Sequence, residues 1–488
     1  MKIKNLIPEF EFKNIDKNIN LEIKYCTANY KKVEAGCLLF LLPGVNFDTY
    51  ELVNEYIKSK PDAIITEDSK RFPKTKIPLI EVRSARRAFA YAMSNISEID
   101  YEKLKFIGIT GTNGKTSTAT MLAEILKFSG ERVGFIGTGK ICFENTNFCD
   151  EKYTMTSPDP DLLYPIIRKM QLMGCETVVM EVSSHALELE KISPISFDIG
   201  IFTGLSHEHM DFHGNMERYF LAKEKLIKIS KRSIINFDDP WGRRLYEKYQ
   251  NKSTGIGVLF GSDISALEVE NYGLLGIGYI LRAKNFLTKI KLSLPGIYNI
   301  YNSMLAFEAA YEFGCAPKKI KEALFEIKRI DGRCEIIRGD VTVIIDYAHT
   351  PLALENLLKT VKSSKNIGQN IVLVFGCGGE RDALKRPKMA EIAEKYADKT
   401  IVTSDNPRKE KPEKIIAEII SGFGKGQYGV IVDRQAAISF AIKKASIGDI
   451  VIIAGKGHER YIYDSLGYHP FDERKIIERA LELRGCRT

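Results

Sequence analysis

Lys105-Phe-Ile-Gly-Ile-Thr-Gly-Thr-Asn-Gly-Lys-Thr116 is the stretch whose reading decides the fold. An apolar run of strand character breaks into Gly111-Thr-Asn-Gly-Lys-Thr116, and residues 117–128 continue with helical spacing. Glycines at such a turn let backbone N–H groups close around phosphate oxygens, and the dipole of the following helix strengthens their pull. Lys115 can reach the outer phosphates of a nucleotide, and the Thr116 hydroxyl can bind Mg²⁺. Ile109 stands where the strict GxxxxGK[ST] pattern has its first glycine, so the loop is a variant of it. The strand before and the helix after argue against a chance glycine-rich turn. Gly111, Thr112, Asn113, Gly114, Lys115, Thr116 and Ser117 are therefore the candidate nucleotide contacts.

Outward from this loop, strand, turn and helix keep alternating. Residues 105–110, 132–137, 176–182, 198–203 and 233–237 read as strands, with helical stretches at 117–128 and 161–173 between them. That order predicts a mostly parallel, doubly wound sheet. Residues 255–294 are richer in alternating and β-branched positions, as an antiparallel edge would be. From about 336 a second series follows, with strands at 342–346, 370–376, 399–404, 429–432 and 449–454, which predicts a smaller Rossmann-like sheet. Residues 1–98 are rich in lysine and isoleucine, with short apolar runs at 37–42 and 62–65. The expectation is an α/β chain of three domains: 1–98, a central P-loop-type domain over 99–335, and a Rossmann-like domain over 336–488.

Composition agrees. At about 150 residues per domain, 488 residues make roughly three. Hydrophobic residues at 44% and charged residues at 27% supply real cores and exclude a disordered chain. The net charge of +8 is not gathered into a Lys/Arg block, so a nucleic-acid partner is not expected. No run approaches the roughly 18 apolar residues of a membrane span. The opening MKIKNLIPEFEFKNIDKN lacks the apolar core of a secretory signal. The nine cysteines, at 26, 37, 142, 149, 175, 315, 334, 377 and 486, form no CxxC pair and no zinc-like cluster. They read as reduced thiols of a cytoplasmic, bacterial enzyme.

Further motifs follow in order: Glu181-Val-Ser-Ser-His-Ala-Leu187, Phe202-Thr-Gly-Leu-Ser-His-Glu-His-Met-Asp-Phe-His213 with Tyr219 and Lys223 beyond, and Pro295-Gly-Ile-Tyr-Asn-Ile-Tyr-Asn302. Asp331-Gly-Arg333, Asp346-Tyr-Ala-His-Thr-Pro351, Asp405-Asn-Pro-Arg408 and Gly455-Lys-Gly-His-Glu459 complete the set. In this order it closely resembles the Mur ligases of peptidoglycan synthesis, and within them the type that adds a third, diamino residue. The resemblance covers 105–488 well and 1–98 loosely.

The resemblance implies that ATP phosphorylates the γ-carboxylate of D-glutamate in UDP-N-acetylmuramoyl-L-alanyl-D-glutamate. The incoming amine then attacks the acyl phosphate, and phosphate leaves. It implies two Mg²⁺ ions, the first held by Thr116 and Glu181, the second by Glu181 and His209. Lys223 would be carbamylated to N6-carboxylysine, an anion sensible only beside strong positive charge. Lys115, Glu181, His209 and Lys223 form the implied catalytic set. Read alone, Lys223 in Ala222-Lys-Glu-Lys-Leu226 would be a solvated helix lysine, and His209 a hydrogen-bonded core histidine. Asn299 and Asn302, at i and i+3, would read the adenine, although alone they read as a helix cap and a surface amide. Arg333 would reach the γ-phosphate, Asp346 the ribose, and His349 the nucleotide.

For the amino acid, the resemblance implies Arg381, Asp405, Asn406, Pro407, Arg408, Gly455 and Glu459. The Asp-Asn-Pro-Arg form matches relatives that add meso-diaminopimelate. A distal carboxylate wants a forked guanidinium, whereas a lysine ammonium would be repelled by one. Lanthionine differs by one atom and would satisfy the same contacts. Tyr30, Thr156, Ser157, Ser183, Leu189 and Lys191 would meet the UDP-sugar peptide. Here the chain departs from the family. Asn29-Tyr-Lys31 replaces Asp-Ser-Arg before Val33-Glu-Ala-Gly36, and Leu189 and Lys191 replace Gln and Arg. Gly204 follows Thr203 where Asn is usual, and Glu208 precedes His209 where Asp is usual. A monomer acting on small molecules is expected. The alternatives are a sister ligase, including a folylpolyglutamate synthase-type enzyme, or a P-loop ATPase, which leaves the C-terminal block unexplained. A non-catalytic nucleotide-binding partner would have lost Lys115, Glu181, His209 or Lys223.

Overall fold

The computed structural model describes residues 1–14, 17–44, 47–149, 153, 155–259 and 261–485. Cys486, one of the nine cysteines, lies outside them. The central sheet has 11 strands, and Lys105–Thr110 lies deep inside it between Phe197–Phe202 and Thr177–Glu181. All three are parallel, and Ile109 stands opposite both Glu181 and Ile201, so their carboxyl ends finish at one level. Their near-continuous apolar sequence follows from burial on both faces. The phosphate-loop helix Lys115–Phe128 and helix Tyr298–Phe313 pack on one face, and Met216–Ile229 on the other.

The edge read as antiparallel consists of Ile264–Asn271, Ile277–Arg282 and Leu287–Leu292. Ser253–Gly257 ahead of it pairs parallel with both neighbours. Four parallel strands, Tyr25–Thr27, Cys37–Phe40, Ala63–Thr66 and Leu79–Glu81, form the N-terminal sheet. The C-terminal sheet has six strands, in the order Glu335–Ile337, Thr342–Asp346, Ile450–Ala454, Ile371–Phe375, Lys399–Val402 and Tyr428–Val430. Only Glu335–Ile337 runs antiparallel. It pairs with Thr342–Asp346 and so joins this sheet directly after Asp331–Cys334.

One apolar cluster spans the first two domains, joining Phe40 and Phe89 to Phe106, Tyr164 and Phe197. The C-terminal clusters draw on their own residues apart from a packed Leu274. Six of the described cysteines are buried. Among the described residues no helix is long and apolar enough to cross a membrane.

Candidate functional site

A cavity of about 530 Å³ lies where the carboxyl ends of the central strands face the C-terminal domain. A second, of about 1430 Å³, borders it and shares Thr116, Thr138, Glu459 and Tyr461.

Two glycines shape the phosphate loop. Gly111 has φ +145°, and a Cβ there would lie 1.9 Å from Thr203 Oγ1; Gly114 has φ +87°, and a Cβ would lie 2.6 Å from Asn302 Oδ1. Thr112 N donates to Gly204 O at 2.8 Å. Gly204 itself has φ +134°, a left-handed backbone that explains glycine where the family has asparagine. Lys115 Nζ folds over its own loop, donating to Gly111 O at 3.0 Å and Thr112 O at 2.8 Å.

Lys223 contradicts the solvated-face reading of its local sequence. It is 1% exposed, and its Nζ donates to the same Gly111 carbonyl at 2.7 Å. Burial, with Lys115 close by, drives its amine well below the usual lysine range. Burial also lowers Lys115. Two lysine nitrogens converge on one carbonyl, and the mutual repulsion of their charged forms makes a site that calls for anions.

Glu181 is fully buried at the end of its strand. Its Oε2 accepts from Thr116 Oγ1 at 2.9 Å and Thr138 Oγ1 at 3.2 Å, and its Oε1 from Thr138 N at 3.0 Å. His209, at φ +57°, opens the short helix Met210–His213 and lines the cavity. Burial lowers it to about 4, leaving a neutral imidazole. Beside it, burial opposes ionisation of Glu208, but the His349 hydrogen bond and His209 hold the carboxyl well below its usual range. His349 Nε2 meets Glu208 Oε1 at 3.0 Å, and its Nδ1 meets Tyr347 O at 2.8 Å. Both nitrogens of His349 are thus engaged within the protein, while its ring lines the cavity beside the phosphate loop.

The asparagine pair also divides. Asn302 lines the cavity and donates to Asn299 Oδ1 at 3.0 Å, while Asn299 Nδ2 is held by Pro295 O at 2.8 Å. Helical spacing put both on one face, but Asn299 stands behind Asn302 as its support. Arg333 Nη2 donates to Thr116 Oγ1 at 3.1 Å across the two domains. Asp346 accepts from Cys334 N at 2.6 Å and Ala348 N at 2.7 Å, and burial raises its carboxyl despite Arg333 nearby.

In the C-terminal sheet, Phe375 stands opposite both Val402 and Ala454, so three strands end together. The loops that follow carry Arg381, Asp405 to Arg408, Gly455 and Glu459. Asn406 Nδ2 donates to Glu459 Oε2 at 2.8 Å, and Arg408 Nη1 to Gly379 O at 2.6 Å. Pro407 is buried before Arg408, which adopts φ +54°; burial and the like charge of Arg381 lower its guanidinium. Gly455, at φ +117°, leaves space that a Cβ would close to 2.7 Å from Asp405 Oδ2.

The residues read toward a UDP-sugar are less gathered. Thr156 lines the first cavity, its Oγ1 3.1 Å from Thr138 Oγ1. Ser157 Oγ donates to Glu181 O at 2.9 Å, and Ser183 caps helix Ser184–Glu188. Lys191 pairs with Asp159 at 2.6 Å, Leu189 is half-buried beside it, and Tyr30 packs on Tyr56. None of Tyr30, Ser157, Ser183, Leu189 and Lys191 lines either cavity. Asn29 caps the turn Tyr30–Lys32, which gives that departure a structural role. Sequence reading missed Thr138, which carries no signal beyond ending a strand, and Lys456, which sat in plain view inside Gly455-Lys-Gly-His-Glu459.

Among the described residues no group of three or more His, Cys, Asp or Glu converges as a metal site. Glu181, however, is a buried carboxylate with no ion-pair partner among the described residues, and the Thr116 and Thr138 hydroxyls on it complete an oxygen donor set suited to a hard cation.

Residues 109–310 match the family model for the Mur ligase middle domain, and 332–457 that for the Mur ligase, glutamate ligase domain. The chain is 36% identical to UDP-N-acetylmuramoyl-L-alanyl-D-glutamate--2,6-diaminopimelate ligase 1 of Clostridium acetobutylicum, over 99% of each chain. A solved structure of such a diaminopimelate ligase superposes with a TM-score of 0.69 at 27% identity, over 99% of both chains. MurF ligase from Thermotoga maritima in complex with ADP shares the fold, with a TM-score of 0.63 at 19% identity over 94% of this chain and 98% of that one.

Proposed function

Because this chain belongs to the Mur ligase family, we propose that it is an ATP-dependent amide ligase. It joins meso-diaminopimelate, or a close diamino diacid such as lanthionine, to the D-glutamate γ-carboxylate of UDP-N-acetylmuramoyl-L-alanyl-D-glutamate. The setting is cytoplasmic synthesis of peptidoglycan precursor, by a monomer. The observation that carries this reading is the meeting, in one cavity, of the phosphate loop with Asn406, Arg408 and Glu459.

Loop residues Gly111 to Ser117 hold the ATP phosphates through backbone N–H groups, with Lys115 and Arg333 neutralising the charge that passes between phosphates and carboxylate. Asn302, braced by Asn299, reads the base, and Asp346 binds the ribose. Thr116, Glu181, His209 and Lys223 would hold two Mg²⁺ ions, which when bound screen the anionic oxygens that must approach one another. Lys223 acts as a carbamate: its neutral amine attacks CO₂, an N–C bond forms as one C=O π bond opens onto oxygen, and one N–H proton passes to solvent. The remaining N–H can stay on the Gly111 carbonyl, and a carboxylate anion is added beside it. Thr156, Ser157 and Ser183 bind the acceptor peptide, with Tyr30, Leu189 and Lys191 toward the nucleotide-sugar. Arg408 and Arg381 take the distal carboxylate of the diamino acid as a fork, Glu459 its ammonium, and Asp405, Pro407 and Gly455 shape the pocket.

The test is phosphate release from ATP with the UDP-dipeptide present, comparing meso-diaminopimelate, lanthionine, L-lysine and no amino acid. Turnover with the diacids but not lysine is expected; turnover with lysine alone overturns the pocket assignment. Arg408→Lys should raise the KM for the diacid about 10-fold or more, the loss of a charged, forked hydrogen bond. Lys223→Ala should be inactive and partly rescued by small carboxylates.

A further inference from the structure

Lys456 is fully buried, lines neither cavity, and has no role in the reading above. Its Nζ faces three oxygens: Asn406 Oδ1 at 2.8 Å, Glu459 Oε2 at 3.2 Å and Asp405 Oδ1 at 3.4 Å. An ammonium has three protons and no acceptor capacity, so these contacts consume it entirely.

Asn406 Oδ1 also accepts from Tyr463 N at 2.9 Å. With two donors on its oxygen, the Asn406 amide is pinned in one orientation: oxygen inward, Nδ2 toward Glu459 and the cavity. A flipped amide would set its NH₂ against the Lys456 ammonium and the Tyr463 N–H. Asn406 thus faces the cavity as a donor only, which suits a carboxylate held beside it by Arg408.

Lys456 sets the charge balance as well. Asp405, Glu459 and Glu473 are arranged around Lys456 and Arg434, with Arg434 Nε on Glu473 Oε1 at 2.6 Å and Arg434 Nη1 4.0 Å from Asp405. The Arg408 guanidinium also interacts electrostatically with Asp405 and Glu459, so the three carboxylates meet three cations. Glu459, 16% exposed in its side chain, is the carboxylate of the three with most access to the cavity. Glu459 is therefore the carboxylate an incoming ammonium can reach, next to the donor face of Asn406.

We propose that Lys456 is a positioning residue for amino-acid specificity: by holding the Asn406 amide and the Glu459 carboxylate in fixed orientations, it presents a paired donor and anion that match an α-amino acid end. This rests on the ligase reading above and adds to it the group that sets the pocket's polarity.

The experiment compares full-length wild type with Lys456→Met, whose side chain has similar length without charge. KM for meso-diaminopimelate, KM for ATP, kcat, and the preference for meso-diaminopimelate over L-lysine are measured beside thermal unfolding. The expected result is a KM for the diacid raised about 10- to 100-fold, the loss of hydrogen bonds from a charged donor. The KM for ATP should stay within about twofold of wild type, and the preference over lysine should shrink. An unchanged diacid KM and preference, or a fall in kcat with every KM unchanged, overturns the proposal. If Lys456→Met does not fold, Asp405→Asn/Lys456→Met keeps the charge balance and is read against Asp405→Asn alone by the same criteria. A wild type that releases no phosphate with any diamino diacid refutes the ligase reading instead.

Discussion

The two junctions of this chain are built from opposite materials. Between the N-terminal and central domains runs a continuous apolar core, in which Phe40, Phe89, Phe106, Tyr164 and Phe197 belong to one cluster. Helix Ala85–Ile96 packs on helix Pro160–Leu172 across it, and Arg87 joins buried Glu11 to Glu190. Between the central and C-terminal domains, among the described residues, Leu274 alone packs on the C-terminal apolar clusters; the contacts at the site are polar, Arg333 to Thr116 and His349 to Glu208, and two cavities open beside them. Apolar burial is strong and non-directional, so it fixes one domain on another. A polar junction, by contrast, keeps charges at the seam and leaves space that anionic substrates can complete.

If this division of labour is right, changes at the polar junction cost activity and changes at the apolar one cost stability. Of the changes that compare the two junctions, Lys115→Ala has the largest effect and should cut kcat/KM about 10³-fold while Tm moves by no more than a few degrees. A collapse of Tm in that variant would make the polar seam structural. Phe197→Ala, in the shared core, should cost about 3–5 kcal/mol in urea unfolding, with kcat per folded molecule retained. Loss of kcat without loss of stability there would break the comparison from the other side. Glu208→Gln removes one charge of the domain-bridging pair but keeps an acceptor for His349, so kcat/KM for ATP should fall only several-fold, about 1 kcal/mol. Lys191→Arg is the smallest: because Lys191 already pairs with Asp159, arginine preserves that contact and the KM for the UDP-dipeptide should shift less than about 3-fold.

Residues 105–116 were legible because the phosphate loop is local: its strand, its two left-handed glycines and its helix start are contiguous, and backbone N–H groups do the binding. Alternation at 255–294 likewise announced the antiparallel edge, although its first residues, 255–257, pair parallel and the antiparallel strands begin at Ile264. Local spacing alone was insufficient where the deciding partner is distant in sequence, and there the order of motifs carried the reading. Lys223 read alone was a surface lysine until helix Met216–Ile229 was packed under the Gly111 carbonyl, 112 positions away. The spacing of Asn299 and Asn302 gave them a shared face, but the Pro295 carbonyl took one of them inward.

The sequence by itself determined the strand–loop–helix grammar, the phosphate loop and the inventory of charged groups, since these depend on neighbours within a few residues. Only the tertiary structure decided which of those charges are buried, which face one another and which meet a substrate. Ile450–Ala454 lies between Thr342–Asp346 and Ile371–Phe375, bringing Lys456 onto Asn406 across 50 positions. That placement follows from strand order in a parallel sheet, where pairing is set by the packing of the whole domain and no local run of residues encodes it.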